Sequence, residues 1–565
     1  MTTGNRTLLE VLNAEGVTTI FSLLSEELMD VTMAAARDFE RVNVVQARHE
    51  QSAVAMADGF SRIGGDIGVA MVGRGPAIAQ TGTAITTAYN HGSSVLIVVA
   101  TRARDAFTDD LNKGFRQEAF LESLVDDVYA VRSEGTLVPS LAEAFRTLHA
   151  DRGPVVVQVP RDILDGELAD AGSWRDTTVG TSRPTRTAAT LQPAEEDVET
   201  AVTLYEERPT SEPPVILAGA GAVTDGATDA IESLAERLNA VIVTTLQART
   251  FLADHPYMAG FVGGLGDGAA NALLERSGFA LALGASLNDH TTRDGDLIEE
   301  TTLVHVDVDP AQLDRYEIAD LSIVGGAAAT ARALEGALER HGVDERGRFW
   351  TDELAQRLRT WADVDAREYE PEPGRIDPRV LLDELDDCLP QERVVVTDTG
   401  QLTGWVIDRI GVAGADEFIW PMDFGSIGLG QPIGIGAAYR SAGRPVVVFC
   451  GDGGFLMSLQ ELNTAVRAGL PLVLVVVNDD ALGAEYQRMR SRDGPASPAL
   501  LETPAFATVA EGFGADGYTI RSTDDLARVA AGRLREPTGP VVLDCKVDQR
   551  IPVASFDPER GSDDG

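Results

Sequence analysis

Gly451-Asp452-Gly453-Gly454 and Asn478-Asp479-Asp480 are the two segments of this chain best suited to chemistry. Each follows an apolar run, Val446 to Cys450 and Leu472 to Val477, that reads as a buried strand. Between them a helical pattern passes through Leu456, Leu459, Leu462 and Val466 and stops at Gly469 and Pro471. Parallel strands joined by a helix bind ligands at their carboxyl ends. Here both ends carry carboxylates beside glycines. Carboxylate oxygens suit a hard divalent cation holding a phosphate. The glycines let backbone approach closely, and a helix start favours negative charge.

The rest of the 565 residues must position that unit. At roughly 150 residues per domain the length predicts three or four domains. Strand-like runs at Thr18–Leu23, Val42–Ala47, Val69–Val72, Val95–Ala100 and Val155–Val159 alternate with helical patterns. The same alternation continues at Val215–Leu217, Val241–Val243, Phe279–Leu283 and Leu303–Val308. The expected class is α/β, with three consecutive doubly wound parallel-sheet domains. Their expected bounds are 1–170, 194–345 and 376–553, with a polar linker over 171–193, a helical connection over 346–375 and an acidic tail over 554–565. Gly219-Ala220-Gly221 follows a strand, but Thr224 replaces the third glycine of a dinucleotide fingerprint, so a tight turn is expected.

The formal charge of −42, from 89 acidic and 47 basic residues, argues against a nucleic-acid partner. Lys113 and Lys546 are the only lysines. That balance points to a halophilic, salt-adapted protein. No run reaches the ~20 apolar residues of a membrane helix, and the N-terminus lacks a signal pattern, so a cytoplasmic enzyme is expected. Cys388, Cys450 and Cys545 follow no metal spacing and read as reduced thiols.

The opening segments resemble the GDG-to-NN signature of thiamine diphosphate-dependent enzymes. The resemblance implies magnesium ligands at Asp452, Asp479 and the Ala481 carbonyl, with Asp479 in place of the commoner asparagine. Ala47-Arg48-His49-Glu50-Gln51, followed by Ala55 to Arg62, is similar to the strand-to-helix element whose glutamate contacts the cofactor's aminopyrimidine. It implies that Glu50 promotes loss of the thiazolium proton. Gly425-Ser426-Ile427-Gly428 resembles the turn supporting the bent cofactor, with Ile427 as the wedge. Thr397 to Gln401 resembles the segment that meets the diphosphate. Gly400, Gln401, Gly453, Gly454, Leu482 and Gly483 complete the implied cofactor contacts. Gly75-Pro76-Ala77 resembles the family's GPG loop, with Gln80 where asparagine is usual. The likeness runs from about Thr7 to Val553 in the order of the acetolactate synthase and pyruvate decarboxylase group. That order implies a homodimer or homotetramer with cofactor sites between subunits, and admits FAD in the central domain.

The implied first step is decarboxylation of a 2-oxo acid. The second is either carboligation to another carbonyl, as in an acetolactate synthase, or release of an aldehyde. Phe115-Arg116-Gln117-Glu118 resembles the synthase FQE element and aims Gln117 at substrate. Glu26 and Glu485 fall where decarboxylases place acids, and either could supply the proton that ends an aldehyde-forming cycle; the alternative is a pair of surface acids. His91 and His290 lie in loops able to reach the cleft. A flavin- or nicotinamide-dependent oxidoreductase is the remaining alternative.

Overall fold

Runs of Val, Ile and Leu too apolar to face water on either side form the inner strands of three six-stranded sheets. A computed structural model describes residues 2–105, 112–150, 153–168, 191–209, 211–345, 348–360, 368–414, 417–530 and 532–553. The expected linker, but for its last three residues, and the expected acidic tail lie outside them.

The first sheet comprises β1 (Thr19–Ser22), β2 (Asn43–Gln46), β3 (Gly68–Val72), β4 (Val95–Thr101), β5 (Val128–Ala130) and β6 (Val155–Pro160). Its spatial order is β2-β1-β3-β4-β6-β5, all parallel. The middle sheet comprises β7 (Val215–Ala218), β8 (Val241–Thr244), β9 (Met258–Phe261), β10 (Phe279–Leu283), β11 (Thr302–Asp307) and β12 (Leu321–Val324). Its order is β9-β8-β7-β10-β11-β12, again parallel. The third comprises β13 (Val394–Thr397), β14 (Phe418–Ile419), β15 (Val446–Gly451), β16 (Leu472–Asn478), β17 (Asp516–Ile520) and β18 (Val541–Lys546). Its order is β14-β13-β15-β16-β18-β17, parallel and topologically equivalent to the first. Cys450 and Cys545 are buried in β15 and β18.

The chain divides into two compact units. One combines the N-terminal and C-terminal segments, 1–184, 369–411 and 416–559, and the other holds the middle segment, 185–368. Within the first unit two helices cross closely: α1 (Glu50–Arg62) and, from the third sheet's layer, α3 (Gly430–Arg440). Glycines make this crossing. A Cβ on Gly59 would lie 2.0 Å from the Ile433 carbonyl oxygen, and one on Gly436 would lie 1.9 Å from that of Met56. The first and third sheets consequently share one hydrophobic core, in which Val54 and Met56 join Ile433, Ile435 and Val448.

In the middle unit, the turns after β7 and β10 close on each other. Gly219 N donates to Leu283 O at 3.0 Å and Gly221 N to Gly284 O at 2.9 Å. Side chains at Gly219 or Gly284 would strike backbone. The glycines thus make a close backbone crossing of strand ends. His290 is exposed in this unit.

One element departs from its sequence pattern. The helix expected from Leu456 to Val466 is broken: α4 (Asp452–Ser458) gives way to a 3₁₀ turn at Leu459–Glu461 before helix resumes at Leu462–Ala468. Within α4 the buried side is that of Gly454, Phe455 and Ser458, so Leu456 and Met457 face outward, at 39% and 54% exposure.

Candidate active site

In doubly wound sheets the strand order reverses at one crevice, and ligands bind there. In the third sheet that crevice lies between β13 and β15. Register pairs Thr397 with Phe449 and Gly451 with Val477. Asp398, Asp452 and Asn478 therefore leave the sheet side by side.

Asp398 is 1% exposed and organises the crevice wall. Its Oδ2 accepts from Gly428 N at 2.8 Å and its Oδ1 from Thr399 N at 2.9 Å. Burial pushes this carboxyl up to about 6, against the N–H bonds from Gly428, Thr399, Gly430 and Leu429. Gly454 must be glycine here, because a Cβ would meet Asp398 Oδ2 at 2.4 Å. Gly425 and Gly428 adopt positive φ of 68° and 87°, and so turn the chain on both sides of Ile427. Ile427, Leu482 and Leu501 converge on Gly453: their side-chain carbons lie 4.0, 2.9 and 3.5 Å from where its Cβ would be.

The acidic centre is buried. Asp452, at the start of α4, and Asp479, just past β16, are 1% and 6% exposed. Gly453 N donates to Asp452 Oδ1 at 2.7 Å, whereas Asp452 Oδ2 is buried without a hydrogen-bond partner among the described residues. Gln401 Nε2 donates to Asp479 Oδ2 at 2.9 Å, and Ala481 N to Asp479 Oδ1 at 3.2 Å. Gly483, opening α5 (Gly483–Ser491), leaves room for this pairing, since a Cβ would fall 2.3 Å from Gln401 Nε2. Burial pushes both carboxyls well above the usual carboxylate range, and the neighbouring Asp479 charge raises Asp452 further. Asp480, by contrast, is lowered: bonds from Thr503 and Arg375 outweigh its burial.

Two buried, mutually repelling carboxylates with an orphaned oxygen fit a divalent cation. No cluster of three His, Cys, Asp or Glu side chains able to hold a metal exists among the described residues. This donor set suits Mg²⁺, which takes one or two carboxylates and completes its shell with phosphate and water. Asp452, Asp479 and the Ala481 carbonyl could hold the ion. The Gly453 and Gly454 amides and the Gly400–Gln401 backbone could meet a diphosphate.

The remaining predicted residues sit on the first sheet or at the surface. Glu50 opens α1, half-buried, and its Oε2 accepts from Gln80 Nε2 at 3.2 Å. Gln117 is committed to its neighbours: its Oε1 accepts from Gly75 N at 3.3 Å and its Nε2 donates to Gln158 at 3.0 Å. Glu26 is exposed and paired with Arg161 at 2.7 Å. Glu485 is exposed, with Arg488 at 3.7 Å. His91, at the end of α2 (Gly82–His91), places Nδ1 3.2 Å from Asp423 Oδ1. Arg62 joins Asp423 at 2.9 Å and Asp58 at 2.8 Å, and Asn90 Nδ2 donates to the Asp423 carbonyl at 2.7 Å. This latch fastens the segment leading into Gly425–Gly428 to α1 and α2. Asp398 and Asp423 were not singled out as site residues from the sequence. The strand-end position of Asp398 was a usable signal, but Asp423 gave none, because its partners are distant in the chain. Among the described residues no hydrogen bond or ion pair joins Glu50 to Asp452, Asp479 or Gln401.

Comparison with known proteins agrees with this arrangement. Residues 2–126 match the N-terminal TPP binding domain of thiamine pyrophosphate enzymes, 209–334 their central domain and 398–545 their C-terminal TPP binding domain. The chain is 29% identical to a probable acetolactate synthase large subunit of Methanocaldococcus jannaschii, over 96% of this chain and 92% of that protein. It is 28% identical to the acetolactate synthase large subunit of Parasynechococcus marenigrum, over 96% and 87%. It is also 28% identical to a sulfoacetaldehyde acetyltransferase of Castellaniella defragrans, over 93% and 89%. With all three domains present in family order around the two glycine-rich strand ends, the chain belongs to the thiamine pyrophosphate-dependent enzymes, in the acetolactate synthase and pyruvate decarboxylase-like group.

Proposed function

We propose that this enzyme decarboxylates a 2-oxo acid and ligates the remaining fragment to a second carbonyl compound, as an acetolactate synthase does, using thiamine diphosphate held by Mg²⁺. The orphaned, buried Asp452 Oδ2 beside Asp479 carries this reading, because a bound cation would relieve both the burial and the mutual repulsion of that pair. Bound thiamine diphosphate supplies a carbon nucleophile that adds to a carbonyl and holds the electron pair left by CO₂.

The chain's own groups divide the remaining work. Asp452, Asp479 and the Ala481 carbonyl hold the cation, and Gln401 orients Asp479. Ile427 and Leu482 shape an apolar wall that excludes water. Glu50, kept in place by Gln80, would hydrogen-bond the aminopyrimidine of bound cofactor and favour the tautomer that accepts a proton. Gln117 supports the Gly75 turn, and His91 is a positioning group on Asp423. The two acids suited to ending an aldehyde-forming cycle, Glu26 and Glu485, are exposed and paired with arginines, which favours transfer over release. The names synthase and acetyltransferase among the relatives agree with transfer.

The resemblance to the acetolactate synthase group supports a second copy completing each site, with Glu50 of one chain serving Asp452 and Asp479 of the other. A homodimer, or a homotetramer built as a dimer of dimers, would cover the exposed Leu24, Met29 and Met33 of the first domain and Phe424, Leu456 and Met457 of the third. Product analysis with a panel of 2-oxo acids, cofactor and Mg²⁺ in molar salt tests the function. Pyruvate should yield a ligated product such as acetolactate. Acetaldehyde as the main product would overturn ligation, and no CO₂ from any 2-oxo acid would overturn the whole reading.

A further inference from the structure

The first sheet has its own reversal crevice, between β1 and β3, and its charged residues Glu27, Arg74 and Lys113 have no part in the cofactor reading. After β1 comes Glu27, after β3 the turn Gly73-Arg74-Gly75, and after β4 Lys113. These strands are neighbours in the order β2-β1-β3-β4, about 4.8 Å apart, and β2 leads to Glu50. Glu27 Oε1 receives Lys113 Nζ at 2.6 Å and Arg74 Nε at 3.1 Å. The Glu27 side chain is only 3% exposed, while that of Lys113 is 30% exposed. A buried carboxylate therefore anchors a partly exposed ammonium.

The turn is built around this pair. Gly75 has φ of 66°, and a Cβ there would lie 2.8 Å from Lys113 Cβ. A Cβ on Gly73 would lie 2.7 Å from Ser25 Oγ. The short helix Pro76–Ala79 then runs from Gly75 to Gln80, the residue that holds Glu50. Lys113 therefore packs on the turn that opens this short helix, and Gln80, at the helix's other end, bonds Glu50. Burial tends to raise the Glu27 carboxyl, but the bond from Lys113 outweighs it and keeps the acid below its usual range. Glu27, rather than the exposed Glu26, is thus the buried acid of this loop, and it is committed to cations. In a chain with two lysines, the other, Lys546, pairs with buried Asp544 on β18.

Resting on the carboligation reading, we propose that Lys113, positioned by Glu27, receives the acid group of the acceptor, a small anionic carbonyl compound. A cation clamped on the donor carboxylate would stabilise the group that must leave as CO₂, and so raise that barrier. The acceptor keeps its charge throughout, so its anion is the one a fixed ammonium serves.

The test uses the holoenzyme with pyruvate as donor and two acceptors that differ in one charge, 2-oxobutyrate and propanal. Lys113→Met should raise KM for 2-oxobutyrate about tenfold or more, with a much smaller change for propanal. Lys113→Arg should stay close to wild type for both. Glu27→Gln should raise KM for the anionic acceptor selectively, because the ammonium is no longer held. Should Lys113→Met not fold, Lys113→Gln carries the same expectation. Equal changes for both acceptors, or none, would overturn the assignment. Failure of wild type to release CO₂ from any 2-oxo acid is read separately and would overturn carboligation and this role together.

Discussion

At the scale of single residues, the least expected feature is a buried aspartate at position 479. Burial and the neighbouring acids make its ionisation, together with that of Asp452, costly until a cation arrives. Asp479→Asn should therefore raise the melting temperature of the metal-free protein by about 2–4 °C and shrink the further rise produced by Mg²⁺ with cofactor. Calorimetry with and without the ion checks both; a lower metal-free melting temperature would count against repulsion. Much of this site was legible in the sequence, because glycine and aspartate at strand ends have few other uses. Glu27 was not. Glu26 and Glu27 are adjacent acids in one short turn, and only the 3₁₀ geometry after Ser25 sends one to solvent and the other inward.

At the scale of elements, the Arg62–Asp423–His91 latch fixes the approach to Ile427. Burial would raise the Asp423 carboxyl, but Arg62 and His91 outweigh it and hold it well below the usual range. A lowered carboxyl stabilises the fold above its unfolded pKa, and that contribution disappears as pH falls through the folded value. Asp423→Asn should thus cost about 3 kcal/mol by denaturant unfolding near pH 7. The deficit should hold down to about pH 5 and narrow only in stronger acid. Inner strands were read correctly from continuous apolar runs. Edge strands β5, β9, β12, β14 and β17 were not, because several are half-exposed or only two or three residues long. The broken helix after Asp452 was missed for a different reason: Leu456 fits a helical stripe with Leu459 and Leu462, yet α4 buries Phe455 and Ser458 instead and the 3₁₀ turn interrupts the stripe.

At the scale of the whole molecule, the proposed dimer and the charge of −42 make separate demands. Met457 lies against Gly428 and is 54% exposed in the single chain. Met457→Glu should shift the protein toward monomer in sedimentation and abolish turnover while leaving each chain folded. A variant that stays dimeric and active would place the interface elsewhere. Dialysis from molar salt into dilute buffer should unfold the chain, as self-repulsion is then unscreened; unchanged circular dichroism would refute salt adaptation. That the first and third domains share a core within one chain could not be read from segment order, because the glycines that permit the α1–α3 crossing resemble ordinary helix glycines until the helices meet.

The central claim is that Glu50 activates the cofactor held by Asp452 and Asp479. Exchange of the cofactor's thiazolium proton for deuterium, quenched and read by NMR, tests it without any substrate. Wild type should exchange fast, and Glu50→Gln should slow exchange about a hundredfold or more while still binding the cofactor. Equal exchange rates in the two proteins would contradict the claim.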